Sequence, residues 1–378
     1  MSVTTTRRRS GTRIESRRAA AGWLFVAPVI VILGLFLLVP VLMAAWVSVS
    51  DWTGRGSPLA GDTGFVGSAN YEALLLGGGL PTQDFGTSLR NNAWYVFLVV
   101  PIQTALSLGL AVLVNRQLLK ARGFFRTAFY FPSVTSSVAI TVVFLFLFSA
   151  SGAVNRLLAA VSADGPNWMS DARGVVHMVL GGLGVDRAPG PLADNGFVGL
   201  SWWDWLAGPS VAMCVFIIMA VFTTSGTFML LFLAALQAIS ADVDEAAIMD
   251  GATSWQRFWR VTLPMLRPTI FTVTTLGLIG TWQVFEQIYT GSQGGPAKST
   301  LTPAYLSYSA SFLSGQWGRG AAIAFILFAI IIVLTALQRF ALREREVPRR
   351  RRFLPPPASR ATGAAPGPVP VPDPGGRP

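Results

Sequence analysis

The sequence has very few of the side chains that build metal sites and disulfides. It contains one cysteine, Cys214, and one histidine, His177, among 378 residues. A single cysteine excludes an intramolecular disulfide, and one thiol with one imidazole is too small a ligand set for a standard zinc site. We interpret Cys214 as a small apolar residue of the interior and His177 as an ordinary surface or interfacial residue. No catalytic group, metal or cofactor is predicted for this chain.

Charged residues are also scarce. Only 12% of the residues are charged and 52% are hydrophobic, whereas about a quarter of an average globular domain is charged. Six apolar runs are long enough to cross a hydrocarbon core of about 30 Å as helices. We number them spans one to six, at residues 23–47, 92–114, 128–150, 209–236, 268–290 and 320–340. The predicted fold class is all-α, a polytopic membrane protein with about six transmembrane helices in a domain of residues 23–342.

Span one follows a basic segment and could be mistaken for a secretory signal. Its apolar core is much longer than the roughly 7 to 15 residues of a signal peptide, and no small-residue cleavage site ends it. We predict that span one is retained in the membrane.

The basic residues are distributed unevenly along the chain. The formal net charge is +11, a value that by itself could indicate nucleic-acid binding. If the amino terminus is cytoplasmic, however, 22 of the 29 Lys and Arg residues fall on the cytoplasmic side, which is the orientation signal of a membrane protein. We predict that both tails are cytoplasmic and that no nucleic acid is bound. Tail 1–22 is basic, and tail 343–378, which is basic and then proline-rich, is predicted to be disordered.

Three loops, 48–91, 151–208 and 291–319, are predicted to lie outside. Loop 151–208 is the longest, and its apolar stretch 175–185 is only half a membrane thick, which predicts an interfacial or re-entrant piece rather than a seventh span. Three tryptophans precede span four and indicate an aromatic anchor at the membrane interface. They are Trp202, Trp203 and Trp205.

The loop 237–267, between spans four and five, is polar and helix-forming. Asp242 with Glu245 three residues later predicts a helix start near Val243, and Gly251 fits the left-handed position that ends a helix. Thr253 or Ser254 then caps a second helix. Aromatic residues at one-face spacing follow, at Trp255, Phe258 and Trp259. The loop is therefore predicted to form a short helix, a sharp turn and a second helix, with little side-chain bulk near the turn.

Seven residues of this loop fall at the specified positions of the motif EAA-x3-G-x9-I-x-LP, where x is any residue. They are Glu245, Ala246, Ala247, Gly251, Val261, Leu263 and Pro264, with Val261 in place of the usual isoleucine. On these residues the chain resembles the integral membrane permease subunits of ATP-binding-cassette importers. The resemblance implies that the glycine-broken helix is a cytoplasmic coupling helix that docks on an ATPase subunit. The implied coupling residues are Glu245, Ala246, Ala247, Asp250, Gly251 and Ala252.

The resemblance covers most of the chain, from about residue 23 to 343. The stretch 282–312, with its aromatic and acidic start and GGP turn, is similar to the carbohydrate-importing branch of the family. The implied partners are two ATPase subunits, a second and distinct permease subunit, and an extracellular solute-binding protein. Loop 151–208 departs from the family by its greater length, which leaves its role open.

The chain lacks a phosphate-binding loop of its own. That loop needs G-x-x-x-x-G-K followed by Ser or Thr, and the one similar stretch, SQGGPAKST, has Ser292 and Ala297 where glycines are required. We therefore predict a transporter subunit rather than an enzyme, with ATP used by the partner ATPase.

Polar groups at membrane depth are costly unless they face a cavity or a partner helix. Glu286 is the one acid within a predicted span, and it is a candidate for the substrate pathway. Its polar and aromatic neighbours are candidates too, as are two hydroxyl residues of span four: Trp282, Gln283, Gln287, Tyr289, Thr223 and Thr224. Interfacial anchoring of Glu286 and close helix packing by the threonines are the alternatives.

The prediction is thus a permease subunit that imports a sugar or oligosaccharide. Glycerol phosphate, a polyamine or another small solute is the alternative within the same class. A polytopic membrane enzyme would show paired acids, a serine–lysine pair or histidines at membrane depth, and a secondary transporter would usually show internal repeats. Neither pattern is found in the sequence.

Overall fold

The computed structural model describes residues 11–61, 63–115, 121–185 and 187–341. The predicted tail 343–378 and the first ten residues of tail 1–22 lie outside these ranges. Within them the regular secondary structure is almost entirely helical. The one sheet is a hairpin of two short strands, β1 (Gly196–Phe197) and β2 (Leu200–Ser201).

The helices are numbered α1 to α18 in chain order. Their bounds are α1 Gly11–Leu33, α2 Val39–Ser48, α3 Ala69–Leu75, α4 Leu80–Asn115, α5 Arg122–Val134, α6 Ser137–Leu147, α7 Ala153–Ala160, α8 Val175–Gly182, α9 Gly190–Asp194, α10 Trp202–Trp205, α11 Val211–Gln237, α12 Ala241–Met249, α13 Ser254–Arg257, α14 Leu263–Met265, α15 Arg267–Trp282, α16 Glu286–Gly291, α17 Pro303–Tyr308 and α18 Trp317–Ala341. Three π-helical segments, Gly34–Leu38, Phe258–Thr262 and Ser309–Leu313, adjoin them.

Four helical stretches in the described ranges are each long and apolar enough to cross a membrane. They are Ala21–Ser48, Leu80–Asn115, Val211–Gln237 and Trp317–Phe340, which correspond to spans one, two, four and six. Two bent pairs bring the number of candidate spans to six, namely Arg122–Val134 with Ser137–Leu147 and Ser254–Met265 with Arg267–Trp282. The predicted all-α, multi-pass membrane fold is confirmed.

Spans three and five differ from the continuous helices that hydropathy predicts. In span three, α5 and α6 meet at 97°, because Thr135 adopts extended backbone (ψ 146°) between them. In span five, α15 ends at Trp282 and the chain restarts as α16 at Glu286. Mean hydropathy does not detect such breaks, since the residues at a break can be as apolar as those of a helix.

Span four (α11) is the centre of the bundle and packs most extensively against α4, with α5 and α15 beside it. One apolar cluster joins it to spans two and three and to α16, and includes Tyr95, Phe144, Phe216 and Ile288. A second cluster joins its other half to α4 and α15. The elements that surround span four are thus held mainly by close van der Waals packing of these side chains, because lipid tails are as apolar as the side chains they would replace.

Gly226 lets spans three and four approach closely. A Cβ atom at this position would meet the main chain of Phe129 and Tyr130 and the hydroxyl of Ser133. The same hydroxyl donates to the carbonyl of Thr223 at 2.5 Å and accepts from the amide of Thr227 at 3.2 Å. This contact ties α5 to the middle of span four just before the break in span three.

We expect Gly226→Ala to destabilise the protein by about 1–3 kcal/mol, because the added methyl group overpacks this crossing. Gly109→Ala is the matched control, since a Cβ there meets open space. The thermal midpoint of the detergent-solubilised protein measures both. An equal midpoint for the two variants would contradict the close packing at Gly226.

Loop 151–208 is folded against span two. Trp94 in α4 donates to the carbonyl of Trp205 at 2.9 Å, and a Cβ on Gly86 would meet the carbonyl of Val198 at the tip of the hairpin. The predicted interfacial piece forms helix α8, where the His177 ring stacks on Trp203 with centroids 4.4 Å apart. The loop is therefore a fixed cap on the bundle rather than a loose connection.

Candidate functional site

A polar cavity lies between spans two, four and five. Its volume is about 460 Å³, and it adjoins a second cavity of about 300 Å³ beside the break in span three. Both cavities are lined by Thr223, Thr224, Phe228 and Gln287. The larger one is lined further by Tyr95, Gln103, Ala220, Leu276, Gly277, Gly280, Thr281, Gln283, Val284, Phe285 and Glu286. The two cavities therefore share part of their walls and lie beside the interrupted spans three and five.

The break in span five is fixed by side chains from other elements. Asn92 of span two donates to the carbonyl of Trp282 at 3.1 Å, and Thr302 donates to the carbonyl of Val284 at 3.2 Å. Main-chain groups that leave a helix inside a membrane must find such partners, and irregular backbone is tolerated where it lines a cavity. The break is thus stabilised by two side chains, Asn92 and Thr302, that do not themselves line the cavity.

Gln103 is the most deeply buried polar residue of the cavity. It is fully buried, its Oε1 accepts from the Thr224 hydroxyl at 2.6 Å, and its Nε2 has no hydrogen-bond partner among the described residues. A Cβ on Gly277 would meet this nitrogen, so the glycine makes room for the amide. Because an unpaired buried donor is costly, Nε2 would be stabilised by a hydrogen-bond acceptor that reached it from the cavity. The sequence prediction missed Gln103, although a glutamine inside an apolar run is a recognisable signal.

Five of the seven predicted pathway residues line these cavities. They are Thr223, Thr224, Gln283, Glu286 and Gln287. Trp282 is instead buried against Val96, Leu327 and Ile331, in a cluster between spans two, five and six. Tyr289 lies in an aromatic group with Phe285 and does not line either cavity. The Thr223 hydroxyl donates to a carbonyl one turn earlier, and the Ala220 carbonyl is an alternative acceptor to Gln103 for the Thr224 hydroxyl, so packing and cavity lining are combined in the same residues.

The polar loop between spans four and five has the predicted helix, turn and helix. Helix α12 is capped by Ser240, whose hydroxyl accepts from the amide of Asp242. This corrects the predicted cap at Asp242, because Ser240 has the extended backbone of a cap residue (ψ 139°) and Asp242 is already helical. Gly251 has the expected positive φ, +77°, and the Ala252 amide donates to the Ala247 carbonyl at 3.0 Å across the turn.

The second helix is tied back to the first. Thr253 caps it in a reciprocal arrangement with Gln256, as one of the two predicted alternatives requires. Arg257 forms an ion pair with Asp244 of α12 at 2.7 Å and also donates to Ser254. The two short helices therefore hold a defined angle around Gly251.

The turn between these helices is presented to solvent. Glu245, Ala246, Asp250 and Gly251 are exposed, and Ala247 and Ala252 are half-buried. Met249 beside them is 86% exposed.

No cluster of three or more metal-ligating side chains occurs in the described ranges. What the structure does contain is a multi-pass helical bundle with a polar cavity bordered by interrupted helices, which is the architecture of a membrane transport protein. Residues 103–345 match the family described as "Binding-protein-dependent transport system inner membrane component". The chain belongs to this family.

Similar proteins agree with this assignment. The chain is 33% identical over 328 residues to the lactose transport system permease protein LacF of Rhizobium radiobacter, which covers 86% of this chain and 95% of that protein. It is 28% identical to the arabinooligosaccharides transport system permease protein AraP of Bacillus subtilis, over 85% of this chain and 88% of that one. A solved bacterial ABC transporter involved in import of the acidic polysaccharide alginate has the same fold, with a TM-score of 0.65 at 17% identity, over 89% of this chain and 99% of that chain.

The family defines the role of the chain. It is the permease subunit of an ATP-binding-cassette importer, embedded in the membrane, and a transporter subunit rather than an enzyme.

Proposed function

We propose that this permease forms one half of the translocation pathway for a sugar or oligosaccharide. The observation that carries the proposal is the polar cavity, whose lining combines hydroxyl and amide side chains with the aromatic rings of Tyr95, Phe228 and Phe285. Sugars present both hydroxyl groups and apolar ring faces, so this mixture suits them. The names of the relatives LacF and AraP support the same solute class.

A second permease completes the pathway in this proposal. Gln283 and Glu286 line the cavity and yet are exposed in the single chain, so the cavity has an open side. An open polar side at membrane depth needs a protein partner. A distinct second permease, two ATPase subunits and an extracellular solute-binding protein make up the assembly that we propose.

The polar loop 237–267 is the contact with the ATPase in this proposal. The positive-inside rule places it, together with both termini, on the cytoplasmic side. The exposed turn around Gly251 forms a rigid projection. The cap at Thr253 and the ion pair of Arg257 with Asp244 fix the angle between helices α12 and α13. A rigid projection transmits the closure movement of the two ATPase subunits to the spans, whereas a flexible loop would absorb that movement.

The test is purification with partners, followed by uptake. We expect the tagged chain to recover an ATPase and a second permease in stoichiometric amounts from native membranes in mild detergent. Proteoliposomes of this assembly, with the cognate binding protein and ATP, are then given lactose, arabino-oligosaccharides, glycerol 3-phosphate or spermidine. ATP-dependent uptake of a sugar alone supports the proposal, and uptake of glycerol 3-phosphate or spermidine alone would replace the solute class.

A further inference from the structure

A continuous row of aromatic rings leads away from the cavity. It runs from Phe285, a cavity residue, to Tyr308, Phe312, Trp317 and finally Trp52. The successive ring centroids are 5.4, 5.1, 4.6 and 5.4 Å apart. Tyr289 joins the row beside Phe285 and lies 5.3 Å from Tyr308. Rings from separate helices and loops thus form one file.

The far end of the row is shaped by a glycine. Gly54 has φ +84°, and a Cβ there would fall on the indole ring of Trp317. The Trp52 indole donates to the carbonyl of Arg55 at 3.1 Å, which fixes the ring above this turn. The Trp52–Trp317 pair therefore has a specific geometry that belongs to the predicted outer loops 48–91 and 291–319.

Two rings of the row are exposed, and the other four are half-buried. Phe312 is 62% exposed and Tyr289 is 43% exposed, whereas Tyr305 beside them is buried. Polar groups accompany the rings at both ends. Gln283 and Gln287 lie at the cavity end, and Gln316, next to Trp317, accepts from Arg319 at 2.5 Å.

A membrane-interface belt is the alternative for these aromatics, since tryptophan and tyrosine concentrate at that level. A belt requires only that each ring lie at the interface. It does not require ring-to-ring contact at each step, nor an end inside the polar cavity. The observed file has both features, and its members include phenylalanines as well as tyrosines and tryptophans.

We propose that this aromatic row is a stacking track for the successive units of an oligosaccharide, between the outer surface and the cavity. The proposal rests on the sugar-import function proposed above and extends it to solutes of several units. The apolar ring faces of the sugar lie against the aromatic faces, while its hydroxyl groups meet water and the flanking amides. Each sugar unit buries only one small apolar face on a ring, so each unit is held weakly and can move on.

The test is protection of an introduced cysteine in the full assembly. Cys214→Ala removes the native thiol of this chain, and Phe312→Cys or Leu313→Cys then adds one. Leu313 is the matched control, because it is 66% exposed against 62% for Phe312 but has no place in the ring file. Modification by a membrane-impermeant maleimide is followed by mass spectrometry of the peptide, with binding protein, ATP and vanadate in every sample. The probes are disaccharides and tetrasaccharides of arabinose and of glucose (maltose and maltotetraose).

We expect the transported tetrasaccharide to slow modification at Phe312→Cys by about fivefold relative to the disaccharide, which corresponds to roughly 1 kcal/mol. Modification at Leu313→Cys should be the same with both sugars. Phe312→Leu should lower uptake of the tetrasaccharide more than that of the disaccharide. Equal modification with both sugars, in an assembly that transports the tetrasaccharide, overturns the track and leaves sugar import intact. An assembly that takes up no sugar in the panel above overturns the import function, and the track with it.

Discussion

Gly251→Val is expected to reduce uptake by more than about tenfold while the subunit still inserts and assembles. Gly251 has φ +77°, and nothing lies within 4 Å of a Cβ built there. The cost is therefore conformational rather than steric, at least 1–2 kcal/mol for an L residue in the left-handed region and more for a β-branched one. The chain relieves this strain by changing the conformation of the turn, so the projection around Gly251 no longer fits the ATPase subunit. Uptake and ATPase activity of the reconstituted assembly are the measurements.

Two further variants separate a coupling role from general strain. Gly56→Val introduces a β-branched residue at φ +67°, also in open space, but in the predicted outer loop 48–91, and we expect nearly normal uptake. Gly251→Asn should retain most activity, because asparagine tolerates the left-handed conformation. Normal uptake by Gly251→Val, or equal loss from Gly56→Val, would contradict the proposed contact with the ATPase.

Gln103→Leu is expected to lower sugar uptake by about tenfold or more, with insertion and assembly preserved. The substitution removes the unpaired Nε2 donor from the cavity, and the single hydrogen of the Thr224 hydroxyl then goes to the Ala220 carbonyl at 2.7 Å instead of to Gln103. A hydrogen bond between neutral groups contributes about 0.5–1.5 kcal/mol, and leaving a buried solute hydroxyl without a partner costs about 1–3 kcal/mol. Uptake at saturating loaded binding protein reports the loss.

The matched control is Gln338→Leu in span six. Gln338 also has one amide atom bonded, at 2.7 Å to Thr274, and one atom without a partner in the described ranges, but it does not line the cavity. We expect less than about a twofold change in uptake, because only a local packing contact is altered. Similar losses in the two variants would indicate that Gln103 acts through folding rather than through the solute.

Hydropathy and motif spacing predicted much of this molecule because they depend on local physics. The number and order of the spans follow from runs of apolar residues that must satisfy their backbone within a helix. The turn at Gly251 and the cap at Thr253 follow from backbone preferences that act over four residues. Even within this loop the cap moved from Asp242 to Ser240, since several small polar residues compete for one position.

The cavity could be predicted only in part. Glu286, Gln283 and Gln287 are visible as polar residues in an apolar run, and they do line it. Gln103 and the packing of Trp282 depend on contacts between residues far apart in sequence. Gly277 and Gln103, for example, lie in spans five and two, and no spacing rule connects them. The break in span five is likewise supported by a remote side chain, Thr302, and the segment before the break in span three is tied to the Thr223 carbonyl of span four by Ser133.

The break in span five has a consequence for how solute choice can change. The carbonyls of Trp282 and Val284 are held by Asn92 and Thr302, neither of which lines the cavity. A substitution at either holding residue would reposition the main-chain wall without altering any side chain that meets the solute. In the proposed pathway, selectivity depends partly on residues outside the cavity lining, so two permeases with identical cavity linings would be able to prefer different cargo.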